Sequence, residues 1–213
     1  MPFEFGRPFG VPGDAAFQLA VLRSALSLLE ASSGPVLRDY PTEAPRAEDD
    51  GAWACPLPPS ALPEGTTDAE RLQQRLLGEL RRLRPWYDES VRGTGRTAFG
   101  VSGVEPGAMD AVALMLCAVA MGEVPPTPEG AAVAMPALIR FLADDLKAFY
   151  FEAAAAQPAT RPPSAGELSH WLFRETVLGG VLYDARDALL SAEDAQLQLI
   201  GRFLVPAVFG RRA

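Results

Sequence analysis

Helical periodicity constrains the fold of this chain more than any other feature. Apolar side chains recur at three- and four-residue steps in six stretches, each bounded by a capping residue, a glycine or a proline. The clearest stretch opens with Thr67 and Glu70, spaced as a capping box, and continues as a stripe of leucines. Residues 96–102 alternate weakly, but a single strand cannot form a sheet, so we expect an extended loop there. The sequence therefore predicts an all-α fold of about six helices.

The most apolar stretch, residues 109–122, predicts the centre of the bundle. As a helix it would be about 21 Å long, which is shorter than the ~30 Å hydrocarbon core of a bilayer. We therefore expect a buried helix with the other helices packed around it. Two breaks are also predicted: Pro85 ends the leucine-stripe helix and opens a new one, and the Gly179–Gly180 pair bends a later helix.

The chain of 213 residues is long enough for one domain with its own core. Residues 1–13 contain Gly and Pro between aromatic residues and predict an irregular arm. Residues 35–66 contain seven prolines and an acidic run, which predicts a connector without regular structure. We expect residues 67–213 to form the main bundle, joined by a helix over residues 14–32.

The charge balance bears on partners and compartment. The chain has 27 acidic and 19 basic side chains, for a formal charge of −8, which argues against binding to nucleic acid or to an anionic membrane. The N-terminal residues lack the cationic and apolar regions of a signal peptide, so we expect a cytoplasmic protein. Cys55 and Cys117 match no metal-binding spacing.

A metal centre is one alternative that the sequence leaves open. Glu167 and His170 have the Glu-x-x-His spacing of carboxylate-bridged di-iron bundles, in which both side chains lie on one helix face. Further ligands would be carboxylates of neighbouring helical segments. The first candidates are Asp145 and Glu152, and the others are Asp144, Glu175 and Asp184. However, His170 is the only histidine, and Glu167 also completes a capping box that Ser164 begins. We therefore expect no metal or cofactor, and with a single histidine we expect no catalysis.

The Arg/Gly segment, residues 81–103, is the strongest candidate for a functional surface. It holds five arginines, Trp86, Tyr87 and four glycines in an otherwise acidic chain. Guanidinium groups suit carboxylate or phosphate, and glycine amides with Ser or Thr hydroxyls can surround an anion. The alternative is that the segment has no binding function and is a solvent-exposed helix end followed by a turn. The candidate ligand-binding residues are Arg84, Trp86, Arg92, Arg96 and Ser102.

The sequence thus predicts a non-catalytic interaction or accessory protein that presents the Arg/Gly segment to a protein partner or to a second copy of itself. Two alternatives accompany this prediction. The first is a binder of, or an enzyme for, a small anionic ligand held by Arg84, Arg92 and Arg96. The second is the metal protein centred on Glu167 and His170.

Overall fold

A computed structural model describes residues 9–10, 14–42, 67–127, 132–159 and 162–206. Most of the predicted arm, and the predicted connector from residue 43 to residue 66, lie outside the described residues. The described residues contain no strand, which confirms the all-α prediction. They form seven α-helices: α1 (Ala15–Ser27), α2 (Asp68–Thr94), α3 (Met109–Ala120), α4 (Met135–Ala155), α5 (Ala165–His170), α6 (Val177–Leu190) and α7 (Ala195–Leu204).

The apolar core lies between α2, α3, α4 and α6, and α7 packs against α4 and α6. Helix α4 contributes the largest share, because its buried residues follow one another at three- and four-residue steps along its whole length. Helix α3 ends at Ala120, two residues earlier than predicted, and a turn follows at Met121 and Gly122. One face of α3 meets solvent, since Leu114 is 38% exposed. Helix α3 is therefore one wall of the bundle rather than its fully buried centre.

Helix α2 continues through Pro85, so the predicted break at this residue is wrong. Proline lacks the amide that would bond to the carbonyl of residue 81, but Pro85 lies on the exposed face, where solvent can reach that carbonyl. The opposite face remains apolar across the proline, with Leu80, Leu83 and Tyr87 all buried. Packing of that face holds the 27-residue helix together.

The predicted bend at Gly179–Gly180 is also wrong. The chain leaves the helical conformation at Thr176, with φ −93° and ψ 159°, after a π-helical turn over Trp171–Glu175. The Thr176 hydroxyl donates to the Leu172 carbonyl at 2.7 Å and accepts from the Gly179 amide at 3.0 Å, so it caps α6. A Cβ atom on Gly179 would stand 2.2 Å from the Leu172 oxygen. The glycine is therefore needed for close approach of two backbones, and it does not bend the helix.

Helix starts are predicted more accurately. The Thr67/Glu70 and Ser164/Glu167 capping boxes both form, and Asp14 accepts from the Phe17 amide at 3.0 Å. Helix α4 begins at Met135 with a proline in its first turn. Helix α7 begins after Asp194, whose side chain accepts from the amides of Gln196 and Leu197 at 2.7 and 3.4 Å.

Helix α1 ends at Ser27 and passes into a 3₁₀ turn, Leu28–Glu30, which is shorter than the predicted helix over 14–32. None of its side chains belongs to the apolar core formed by the later helices. Residues 35–42 have no helix or strand. Within the described ranges, no helix has the length and apolar character needed to cross a bilayer.

Candidate functional site

The loop that follows α2 is bound to α4 by a buried carboxylate. Asp145 is fully buried, and its two oxygens accept hydrogen bonds from the amides of Gly100, Val101 and Ser102 at 2.8, 2.9 and 3.1 Å. The Ser102 hydroxyl donates a fourth bond. Gly100 has a φ of +121°, a conformation that L side chains rarely adopt, and this turns consecutive amides toward one carboxylate.

A second carboxylate of α4 holds the first half of the same loop. Glu152 accepts from the Ala98 amide at 2.6 Å and from the Thr97 hydroxyl at 2.7 Å. Because the Thr97 proton is used in that bond, its oxygen accepts from the Tyr87 hydroxyl at 3.0 Å. Burial raises the pKa of Tyr87, and the nearby Glu152 charge acts in the same direction. Asp145 and Glu152 are two helical turns apart, so they lie on one face of α4 and bind the loop at two points.

The anion that the Gly/Ser part of the Arg/Gly segment was predicted to surround is thus present within the protein. The amides of residues 100–102 and the Ser102 hydroxyl all bind Asp145. These four donors therefore bind a carboxylate of the protein itself. The consequence is a loop with a fixed conformation, in which Phe99 is buried in the core and Arg96 and Val101 are exposed.

A cleft opens beside this loop. It has a volume of about 420 Å³ and is lined by the C-terminal turn of α2, the start of the loop and α4, through Ser90, Thr94, Arg96, Thr97, Ala98 and Glu152. The side chain of Arg96 lies on its exposed rim and makes no ion pair within the described part of the chain. Thr94 fixes the backbone there, because its hydroxyl contacts the carbonyls of Ser90 and Arg96 at 2.8 and 2.9 Å.

Of the five predicted ligand-binding residues, only Arg96 lies in the cleft. The Arg84 guanidinium donates to Asp88 at 2.8 Å and to the Pro106 carbonyl at 3.2 Å, and it lies 5.9 Å from the ring centre of Tyr87. Arg92 forms an exposed ion pair with Glu89 on the outer face of α2. Trp86 is half-buried and packs against the edge of the core, and Ser102 is bound to Asp145 as described. The five residues therefore extend along one surface rather than converging on one point.

The residues of the metal alternative lie in separate places. Glu167 accepts from the Ser164 amide at 2.8 Å as the third residue of the capping box. His170 lies at the surface with its Nδ1 atom 3.2 Å from Glu175. Asp145 and Glu152 bind the loop. Across the described ranges, no three side chains of the metal-binding types come together as a candidate centre.

A further buried carboxylate, which the sequence analysis did not single out, joins α2 to α4 and α6. Glu79 of α2 accepts from the Val177 amide at 2.8 Å and from the Leu178 amide at 3.3 Å, and so it binds the N-terminus of α6. The Tyr150 hydroxyl donates to Glu79 at 2.9 Å. Burial raises the pKa of Glu79, against the opposing effect of these hydrogen bonds. Glu79 lies three residues after Leu76, on the apolar stripe of α2, and its burial could have been predicted from this position in the sequence.

Comparisons of the chain with protein-family models, with curated proteins and with solved structures give no match.

Proposed function

We propose that this chain is a non-catalytic interaction protein that binds an acidic segment of a partner protein through the Arg/Gly segment, residues 81–103. The observation that carries the proposal is the presentation of Arg96. Its loop is fixed to α4 by Asp145 and Glu152, and its guanidinium is left exposed and outside any ion pair of the described residues.

Charge supports an acidic partner. The segment holds five arginines and two acidic residues, whereas the whole chain carries a formal charge of −8. A local cationic surface on an acidic protein attracts the carboxylates of a partner at that one place. The acidic remainder of the protein surface repels them. Guanidinium groups also bind carboxylates through two parallel hydrogen bonds, which gives orientation as well as attraction.

Rigidity supports a binding role for the same surface. A flexible loop must be ordered when a partner binds, and each immobilised long side chain costs about 0.5–1.5 kcal/mol. Here the backbone amides of Ala98, Gly100, Val101 and Ser102 are already bonded to α4. The ordering cost of the backbone has thus been met in the folding of the free protein.

The placement of reactive groups favours binding over catalysis. His170 lies at the surface beside Glu175 and does not line the cleft. Burial raises the pKa of the Cys117 thiol to about 11, so at neutral pH this sulfur is a protonated thiol inside the core.

The test compares two double variants of α2 and its loop. We expect Arg92→Ala/Arg96→Ala to lose the partner proteins that the unchanged chain retains from lysate. The complexes of the unchanged chain should weaken as the salt concentration rises. The matched control is Arg71→Ala/Arg75→Ala, on the same helix but outside the segment; Arg71 pairs with Asp68 three residues earlier, as Arg92 pairs with Glu89. If the Arg92/Arg96 variant keeps every partner, or if the control loses the same ones, the proposal is wrong.

One observation favours a second candidate function, the binding of a small anionic ligand. The volume of the cleft at Arg96, about 420 Å³, falls within the range typical of small-molecule sites. Arg84 would contribute little, because Asp88 and the Pro106 carbonyl engage it. A panel of phosphorylated and carboxylated metabolites tests this function, since a ligand at 100 times its dissociation constant stabilises the fold by about 2.7 kcal/mol. A thermal shift that disappears in Arg96→Ala would support it, and no shift across the panel would exclude it.

A further inference from the structure

The cleft at Arg96 has an acidic wall. Glu152 of α4 lines it, and both oxygens of this side chain accept hydrogen bonds, one from the Ala98 amide and one from the Thr97 hydroxyl. A carboxyl group that accepts at both oxygens is an ionised carboxylate. Each oxygen has a second lone pair, so Glu152 can accept further hydrogen bonds from a molecule in the cleft.

The threonine hydroxyls of the cleft offer no proton to an anion. The Thr94 hydroxyl gives its one proton to the carbonyl of Ser90 or to that of Arg96. The Thr97 hydroxyl gives its proton to Glu152. Two side chains of the cleft, Ser90 and Arg96, form no side-chain bond within the described ranges. The described lining therefore presents a guanidinium, a carboxylate and the Ser90 hydroxyl.

A ligand in this cleft meets both charges. A volume of about 420 Å³ corresponds to a width on the order of 10 Å, which is about one screening length at physiological salt. A carboxylate of the ligand can form two parallel hydrogen bonds with the Arg96 guanidinium. A second anionic group on the same ligand would be repelled by Glu152, whereas a protonated amine there would be attracted and could donate to it.

We infer that the cleft takes a small zwitterion, a molecule whose carboxylate pairs with Arg96 and whose protonated amine pairs with Glu152. The inference rests on the second candidate function above, that the cleft binds a small ligand, and it narrows the class of that ligand. Glu152 determines the specificity, because its charge disfavours purely anionic molecules that Arg96 alone would accept.

Matched probes test the ligand class. The probes are ω-amino carboxylates with chains of about three to six carbons, which suit a cleft of this volume, and the controls are dicarboxylates of the same lengths. The tightest ω-amino carboxylate should have a dissociation constant at least about fivefold lower than that of the matching dicarboxylate, since an attraction to Glu152 replaces a repulsion. The amide NMR signals of Thr97 and Ala98 report binding, and the ionic strength is kept constant because the probes screen charge.

Charge reversal on the rim tests the role of Glu152 without altering it. Arg96 is exposed, so Arg96→Glu should fold as the unchanged chain does, and the cleft then carries two carboxylates. This variant should bind diamines of the same chain lengths at least about fivefold more tightly than the ω-amino carboxylates. The matched control is Arg75→Glu, which makes the same change of net charge at an exposed position of α2 outside the cleft and should keep the preference of the unchanged chain.

Glu152→Gln supplies the complementary test at the wall. Glutamine keeps an oxygen that can accept from the Ala98 amide but removes the charge, so dicarboxylates should bind this variant as tightly as the ω-amino carboxylates do. Circular dichroism and thermal melting show whether the variant retains the fold. If it does not, the Arg96→Glu result decides alone.

Three outcomes would overturn the inference. If dicarboxylates bind the unchanged chain as tightly as the ω-amino carboxylates do, the ligand is not a zwitterion, and the second candidate function stands without it. If no probe shifts the signals of Thr97 and Ala98, the second candidate function fails as well. If Arg96→Glu keeps the preference of the unchanged chain, the charges of the cleft do not select the ligand.

Discussion

Replacing Asp145 with Asn tests the bond between α4 and the Arg/Gly loop. The substitution keeps the size of the side chain but exchanges one acceptor oxygen for an NH₂ donor. In the better orientation, the remaining oxygen accepts from the amides of Gly100 and Val101, and the new NH₂ group meets the Ser102 hydroxyl, which can turn to accept. The Ser102 amide then faces another donor.

The magnitude follows from these contacts. An unpaired buried amide costs about 1–3 kcal/mol, and loss of the charge weakens the surviving bonds by roughly another 1–2 kcal/mol in total. We therefore expect Asp145→Asn to lower the free energy of unfolding by about 3 kcal/mol. Urea denaturation measures this change, provided that the slope with urea concentration stays constant.

An exposed carboxylate supplies the control. Asp88 pairs with Arg84 at 2.8 Å on the solvent-exposed side of α2, and such pairs contribute about 1 kcal/mol or less. Asp88→Asn should therefore have a small effect. Equal effects of the two substitutions would refute the assignment of Asp145 as the residue that holds the loop.

Three further predictions concern the interior. Burial raises the pKa of Glu79, so the folded state favours the protonated carboxyl. The difference in unfolding free energy between the native chain and Glu79→Gln should therefore fall as the pH rises above 4.5, the ordinary pKa of a glutamate. A difference that stays constant with pH would contradict this. Gly179→Ala should destabilise the fold by about 3 kcal/mol, because the new Cβ would overlap the Leu172 carbonyl, whereas Gly166→Ala, with its nearest neighbour at 3.9 Å, should be nearly neutral in thermal melts. Cys117 should resist thiol reagents at pH 8 until the protein unfolds, since burial raises its pKa to about 11; rapid labelling, located by peptide mass spectrometry, would oppose its placement in the core.

Local sequence signals were sufficient to predict the helices and most of the residues at which they begin. The capping boxes at Thr67 and Ser164 predicted the first residues of α2 and α5, because the hydrogen bonds involved join residues three positions apart. The same local reasoning failed at Pro85, where packing of the opposite face of α2 outweighs the lost amide bond. It also failed at Thr176, since the break there depends on Glu79, a residue about a hundred positions earlier in the chain.

The role of the Arg/Gly segment as a binding surface stays a prediction. Its composition indicated donors for an anion, but it could not show that the amides of residues 100–102 bind Asp145 of α4. Asp145 and Glu79 share a signal that can be recognised in advance, because each is a carboxylate at an apolar-face position of an amphipathic helix. A carboxylate at such a position is expected to find donors from another segment, and here the donors are backbone amides of a loop and of a helix N-terminus.

Hydrogen exchange of the native chain tests the central claim, that α4 holds the Arg/Gly loop in one conformation, most directly. The amides of Gly100, Val101 and Ser102 should exchange at least about a hundredfold more slowly than those of residues 35–42, which have no helix or strand. Exchange of these three amides at the rate of residues 35–42 would contradict the account.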